Sequence, residues 1–232
     1  MTDTNQKSGE SRVAGDNSAA VAVRQEYLRE ILAGKRKNAL EVIMDAFHGG
    51  YPIPGLYMDV FQEALYEVGR LWETNHITVA DEHMGTAITQ YVMSNLYPHL
   101  EISETRRGKA VVTGVQGELH QIGANMVADV LESDGWDVVF LGTNVPAAGV
   151  IQSIRQHGAD LFGISSTMLF NLPKVIQLVE AVRKEFGESV RIILGGGAFK
   201  ALTERPQELE GCVVALNLRE ALDRTRRDIS AV

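Results

Sequence analysis

Among the residues able to do chemistry, the most suggestive grouping is Glu118-Leu-His120-Gln-Ile-Gly123, inside the stretch GVQGELHQIGAN. An imidazole on a glycine-rich turn can project one ring nitrogen to a metal. A carboxylate two residues earlier can accept the other ring N–H, fixing the tautomer and raising the basicity of the ligating nitrogen. Gly123 lacks a side chain and lets backbone come close to something bulky. The same residues allow a plainer reading, in which His120 is a loop histidine and Glu118 its solvated neighbour. A second grouping lies upstream in LWETNHITVADEH, where Trp72 is followed by Glu82-His83. Each of these also has an ordinary reading. Trp72 ends an apolar stripe and fits a core. Glu82 suits the first turns of a helix on dipole grounds, and His83 alone fits a helix surface.

The elements that must position these residues fall into two halves. From about 21 to 100 the apolar periodicity is helical throughout. Met58, Phe61, Leu65, Val68 and Trp72 step by three and four, and a following helix runs through Met84, Ile88, Tyr91 and Leu96. Pro54 suits a first helical turn, and Thr78-Val-Ala-Asp81 fits a capping box. With VRQEYLREILAG and ALEVIMDAF ahead of them, these segments predict a four-helix bundle. Residues 101–108 read as a linker. From 109 to 232 the runs KAVVTGV, WDVVFLG, ADLFGIS, VRIILGG and CVVALN alternate with helical segments. Continuous apolar runs are what strands buried on both faces of a parallel sheet require. The fold class expected is therefore α + α/β: a four-helix bundle, then a flavodoxin-like, Rossmann-type, doubly wound five-stranded parallel sheet. Residues 1–20 are polar and aperiodic and read as a disordered tail.

Composition excludes several classes of function. A net charge of −8 disfavours broad binding to nucleic-acid phosphates or anionic lipid. The short basic run Lys35-Arg36-Lys37 reads as a solvated helix face. Cys212 is the single cysteine, so no intramolecular disulfide forms. No apolar run reaches the roughly 18 residues of a membrane span, and MTDTNQKSGES lacks a signal-peptide layout. A cytoplasmic location without membrane association is the expectation.

The α/β half also fails the common nucleotide fingerprints. GVQGELHQIG does not give G-x-G-x-x-G, and GGGAFK lacks the spacing and Lys-Ser/Thr end of a P-loop. A flavodoxin-type phosphate loop would want Ser or Thr in the first β-α turn. A phospho-receiver domain would want aspartates at strand ends, whereas Asp137 and Asp160 fall at strand starts. Gln121 and Asn125 read as helix-start residues, and Met168, Leu169 and Phe170 as packing.

Three separated motifs then come together. Glu118-x-His120-x-x-Gly123, Ser165-x-Thr167 after the third strand, and Gly195-Gly196-Gly197 after the fourth resemble the three-part signature of cobalamin-binding domains. A preceding helical bundle is also a feature of that family. The resemblance implies that His120 replaces the cofactor's own dimethylbenzimidazole as lower cobalt ligand. It further implies that the displaced nucleotide tail threads past Ser165, Thr167 and the paired glycines. Trp72 with Glu82-His83 after nine intervening residues resembles the Trp-x9-Glu-His motif of CarH/LitR-type light-dependent regulators, which use adenosylcobalamin. That likeness implies a bundle covering the cofactor's upper face, with Trp72 packed there and Glu82 bonded to the adenosyl group. His83 is then the upper cobalt ligand once light has broken the cobalt–carbon bond.

Taken together, the resemblance implies a non-enzymatic photosensor that signals through a regulatory protein partner or through its own homo-oligomeric state. Those regulators carry a MerR-type DNA-binding domain, whereas only about 20 polar residues precede this bundle, so no direct sequence-specific DNA binding is expected. Two alternatives remain open at this point. One is a corrinoid carrier for methyltransferases, although carriers generally read Asp-x-His-Asp-x-Gly-Lys-Asn where this chain has Glu-Leu-His-Gln-Ile-Gly-Ala-Asn. The other is a haem or bilin sensor on the same fold, since axial histidine also suits haem.

Overall fold

The computed structural model describes residues 7–227, with side chains described over 18–226. It divides into two compact units, Met1–Leu100 and Glu101–Val232. The first unit is helical. It contains α1 (Lys7–Leu32), α2 (Arg36–His48), the single turn α3 (Ile53–Gly55), a π-helical stretch Leu56–Phe61, α4 (Gln62–Glu73) and α5 (Val79–Leu96).

The four-helix pattern read from the sequence is present, with two differences. Of the tail expected over 1–20, residues 1–6 lie outside the described residues, and α1 already begins at Lys7. Extending an existing helix needs no new nucleus, so polar residues ahead of the Ala-rich stretch 19–23 can join it. The other difference is the π-helical stretch. Leu56, Tyr57, Met58, Val60 and Phe61, five of its six residues, are all buried, more than a 3.6-residue period turns to one side. The wider π turn brings them inward together. Tyr57 and Tyr27 pack their rings against Phe61, and the buried Tyr27 hydroxyl donates to Thr89 Oγ1 at 2.9 Å.

α5 begins as the sequence indicates. Asp81 N–H donates to Thr78 Oγ1 at 3.2 Å while Thr78 N–H donates to Asp81 Oδ2 at 2.9 Å, a complete capping box. Trp72 closes α4 and Glu82-His83 open α5, so all three flank the short connection between these helices.

The second unit alternates strands and helices. In chain order these are β1 (Gly108–Gly114), α6 (Ile122–Ser133), β2 (Trp136–Phe140), α7 (Ala147–His157) and β3 (Leu161–Ser165). They are followed by α8 (Leu172–Phe186), β4 (Arg191–Gly195), the short α9 (Gly197–Lys200), β5 (Val213–Ala215) and α10 (Leu218–Arg227). The strands are parallel in the order β2-β1-β3-β4-β5, the doubly wound arrangement expected. Alternate residues of each strand serve different cores. Val111, Phe162, Ile164, Ile192 and Leu194 pack with Val150, Ile154, Val175 and Val179 of α7 and α8. Ala110, Val112, Leu161 and Ile193 pack with Ala124, Ala128, Leu131 and Ala221 of α6 and α10. Both faces are covered, which is why the strands read as unbroken apolar runs.

Residues 101–107 are held against the end of α6. Ser103 N–H donates to Ser133 O at 2.9 Å and Arg107 Nε to Asp134 O at 3.1 Å. Arg226 from α10 donates to the buried Asp134 Oδ1 at 2.6 Å, so the carboxylate joins the start and end of this unit. Among the described residues, no helix is long and apolar enough to cross a membrane.

Candidate functional site

Strand order reverses between β1 and β3, and the carboxyl edge of the sheet at such a reversal is where doubly wound sheets hold their ligands. Gly114 pairs in register with Ser165, and Ser165 with Gly195, so the loops after β1, β3 and β4 leave from one row of small residues. The three motifs, separated in sequence, meet along that row.

The β1 loop turns tightly. Glu118 N–H donates to Val115 O at 3.0 Å, and Gly117 takes φ +86°, a conformation that favours glycine. The turn sends the Glu118 side chain inward, where it is 1% exposed. Each carboxylate oxygen then collects three N–H groups. Oε1 accepts from the backbone of Leu119 and His120, both at 3.1 Å, and from His120 Nδ1 at 2.5 Å. Oε2 accepts from Thr167 N at 2.9 Å, Met168 N at 3.3 Å and Asn171 Nδ2 at 3.2 Å. Burial pushes this carboxyl group up, but the bonds from His120, Thr167 and Met168 outweigh burial and bring it down to about 2. Glu118 is therefore an anion that only accepts, which places the ring proton of His120 on Nδ1. The ring is 47% exposed, and Nε2 is the nitrogen directed away from the carboxylate.

The other motif residues build the frame. Ser165 ends β3, and a Cβ added at Gly123 would lie 3.9 Å from its Oγ. Gly196 takes φ +102°, and a Cβ there would sit 2.3 Å from Ser166 O, so no side chain fits. At Gly197 an added Cβ would lie 3.1 Å from Thr167 O. Gly195 O accepts from Ser166 N at 2.9 Å. The glycine run thus packs onto the same β3 loop whose N–H groups hold Glu118.

Sequence reading missed Asn171. It is 0% exposed and donates its side-chain Nδ2–H to Glu118 from the start of α8. A polar residue six positions after Ser165, at the start of a helix, was the available signal, but helix capping explains such a residue equally well. Leu169 and Phe170, expected to pack, are exposed instead. The 3-10 turn Leu169–Asn171 aims Asn171 inward and so directs its two predecessors outward. With Leu119 on the β1 loop, they form apolar positions on the two loops that carry the site.

In the helical unit Trp72 is 41% exposed, so it does not complete the core stripe that periodicity assigned to it. It lies in the last turn of α4, beyond the buried Val68. Glu82 is hydrogen-bonded to His83 Nδ1 and accepts from Thr86 Oγ1 at 3.1 Å. His83 is exposed on the outside of α5.

Comparisons with known proteins agree on one ligand class. Residues 108–224 match a B12 binding domain family, and residues 23–97 match a second B12 binding domain family. A corrinoid protein of Desulfitobacterium hafniense is 28% identical over 135 residues, covering 56% of this chain and 62% of that protein. Dimethylamine corrinoid protein 1 of Methanosarcina acetivorans is 29% identical over 134 residues, covering 57% of this chain and 61% of that protein. This chain therefore spans about three fifths of the length of the curated relatives it matches. The solved monomethylamine corrinoid protein of Methanosarcina barkeri has a TM-score of 0.78 at 21% identity, covering 91% of this chain and 99% of that one; the two share a fold.

Proposed function

We propose, since this chain belongs to the B12 binding domain family, that it is a non-catalytic corrinoid carrier that holds cobalamin through His120 and serves a methyltransferase partner. The wiring of His120 carries this reading. A half-exposed ring, tied at Nδ1 to a buried anionic carboxylate, is stiff and of one tautomer, as an axial ligand must be. Gly123, Ser165, Thr167, Gly195, Gly196 and Gly197 offer a lane of small residues for a nucleotide tail. Exposed Leu119, Leu169 and Phe170 offer apolar surface to a macrocycle. The relatives' names, corrinoid protein and dimethylamine corrinoid protein, favour a carrier over a light sensor and a corrinoid over haem or a bilin.

When bound, methylcobalamin supplies a transferable methyl group, and adenosylcobalamin a cobalt–carbon bond that light can break. The chain's own work is to bind and aim. His120 offers Nε2, and Glu118 keeps the ring proton on Nδ1. The donors from Thr167, Met168 and Asn171 keep Glu118 ionised.

A second reading rests on one observation: Trp72 is exposed within its own unit, close in sequence to the paired Glu82 and His83. Side chains so placed suit the upper side of adenosylcobalamin, with His83 as a second cobalt ligand once light has broken the cobalt–carbon bond. The protein is then a photosensor acting through a regulatory partner or by changing its oligomeric state.

One titration separates the two. Purified protein is mixed with methylcobalamin or adenosylcobalamin in the dark, its spectrum recorded, and its size measured before and after green light. The carrier reading expects a base-off, histidine-on spectrum with both cofactors and one size throughout. A light-driven change of size with adenosylcobalamin alone would favour the photosensor. No spectral shift with either would remove both.

A further inference from the structure

The hydrogen-bond chain behind His120 extends past Glu118. Asn171 gives its Nδ2–H to Glu118 Oε2 at 3.2 Å, and its own Oδ1 accepts from the Lys174 ammonium at 3.4 Å. Lys174 stands on the first turn of α8, where the helix dipole disfavours a cation. Asn171 Oδ1 offers a compensating acceptor there. The ammonium also lies over the bare Cα of Gly117, where an added Cβ would be 2.3 Å from Nζ. Gly117 in turn gives its N–H to Asn144 Oδ1 at 2.8 Å. Lys174 thus covers the turn that presents Glu118.

A side-chain amide has two orientations of nearly equal shape, and only one of them helps here. With Nδ2 toward Glu118, the buried carboxylate gains a donor. With Oδ1 toward it, two acceptors face each other in a buried place, which is costly. A cation at Oδ1 selects the first orientation, because an ammonium donates and never accepts.

We infer that Lys174 is a positioning residue for the axial ligand, acting through Asn171 and Glu118 on the tautomer and aim of the His120 ring. This rests on His120 being the corrinoid ligand. Lys174 itself is exposed and is bonded to Asn171, so it acts through the orientation of others.

The test uses the full chain with Lys174→Met and Lys174→Arg. Two signals are followed: solvent exchange of the His120 Nδ1–H proton by NMR without cofactor, and cobalamin affinity with its histidine-on spectrum. In Lys174→Met the ring proton exchanges faster, and the dissociation constant rises about threefold to tenfold, below the roughly 10- to 100-fold typical of a group bonded directly to a metal ligand. Lys174→Arg restores both signals, and the thermal midpoint of all three proteins agrees. Unchanged exchange and affinity in Lys174→Met would overturn the inference. So would a loss that arginine fails to rescue. A wild-type protein with no histidine-on spectrum would instead remove the ligand role of His120, and the inference with it.

Discussion

Two regions hold the residues with chemical potential, and they are built on opposite plans. Around His120, one buried carboxylate gathers donors from its own loop on one oxygen and, on the other, donors about 50 residues away on the β3 loop and at the start of α8. Around Trp72, Glu82 and His83, the bonds are local: Glu82 pairs with its neighbour His83 and with Thr86 one turn on. The first region is organised before anything binds. The second pairs two exposed side chains, Trp72 and His83, with a partly buried Glu82 bonded within its own helix. Preorganisation of this kind belongs with a ligand held permanently, whereas loosely held groups suit contacts made only when a particular upper ligand or partner is present.

The largest expected effect breaks the organised region outright. His120→Ala removes the histidine-on spectrum and weakens cobalamin binding by more than about 100-fold, beyond the range for an outer partner of a ligand. Retained affinity with an unchanged spectrum would show that the ligand lies elsewhere. Next comes Glu118→Gln, expected to weaken binding about 10- to 100-fold. The same carboxylate sets an acid limit. Its folded value of about 2 lies below its ordinary 4.5, so folding releases a proton between these values. The stability it adds is fully present above pH 4.5 and is lost as pH falls toward 2. Acid denaturation should therefore be shallower in Glu118→Gln than in the wild type over that window, and equal slopes would argue against this origin.

Gly196→Ala tests the frame rather than the ligand. An alanine at φ +102° whose Cβ meets a backbone oxygen at 2.3 Å should cost about 2 kcal/mol or more in chemical denaturation. Because the glycine run braces the β3 loop, cobalamin affinity should fall with it. The smallest effect is expected from Trp72→Ala. A tryptophan 41% exposed contributes little to the folded unit, on the order of 1 kcal/mol. The histidine-on spectrum should survive. If that variant abolished dark binding of methylcobalamin, the contrast between the two regions would be wrong.

Legibility followed the same division. His120 and Glu118 were readable as a pair because the carboxylate stands two residues from the ring. The capping box at Thr78 and Asp81 was readable for the same reason, since its partners are three residues apart. Asn171 was not, because it meets Glu118 across 53 residues. Trp72 was ambiguous because helical spacing gives the side of a helix but not how far along its length the neighbours extend.

The sequence by itself determined the two halves, the five apolar strands, the start of α5 and the order of the three motifs. These follow from local periodicity, capping and backbone preference, which act over a few residues. Tertiary structure alone decided that Gly114, Ser165 and Gly195 form one row, since their alignment depends on the register of three parallel strands. It likewise decided that Gly196 is barred from carrying a side chain by Ser166, and that Asn171 and Lys174 stand behind the histidine. Hydrogen bonds between loops are set by which strand ends the sheet brings side by side, and neither composition nor spacing holds that information.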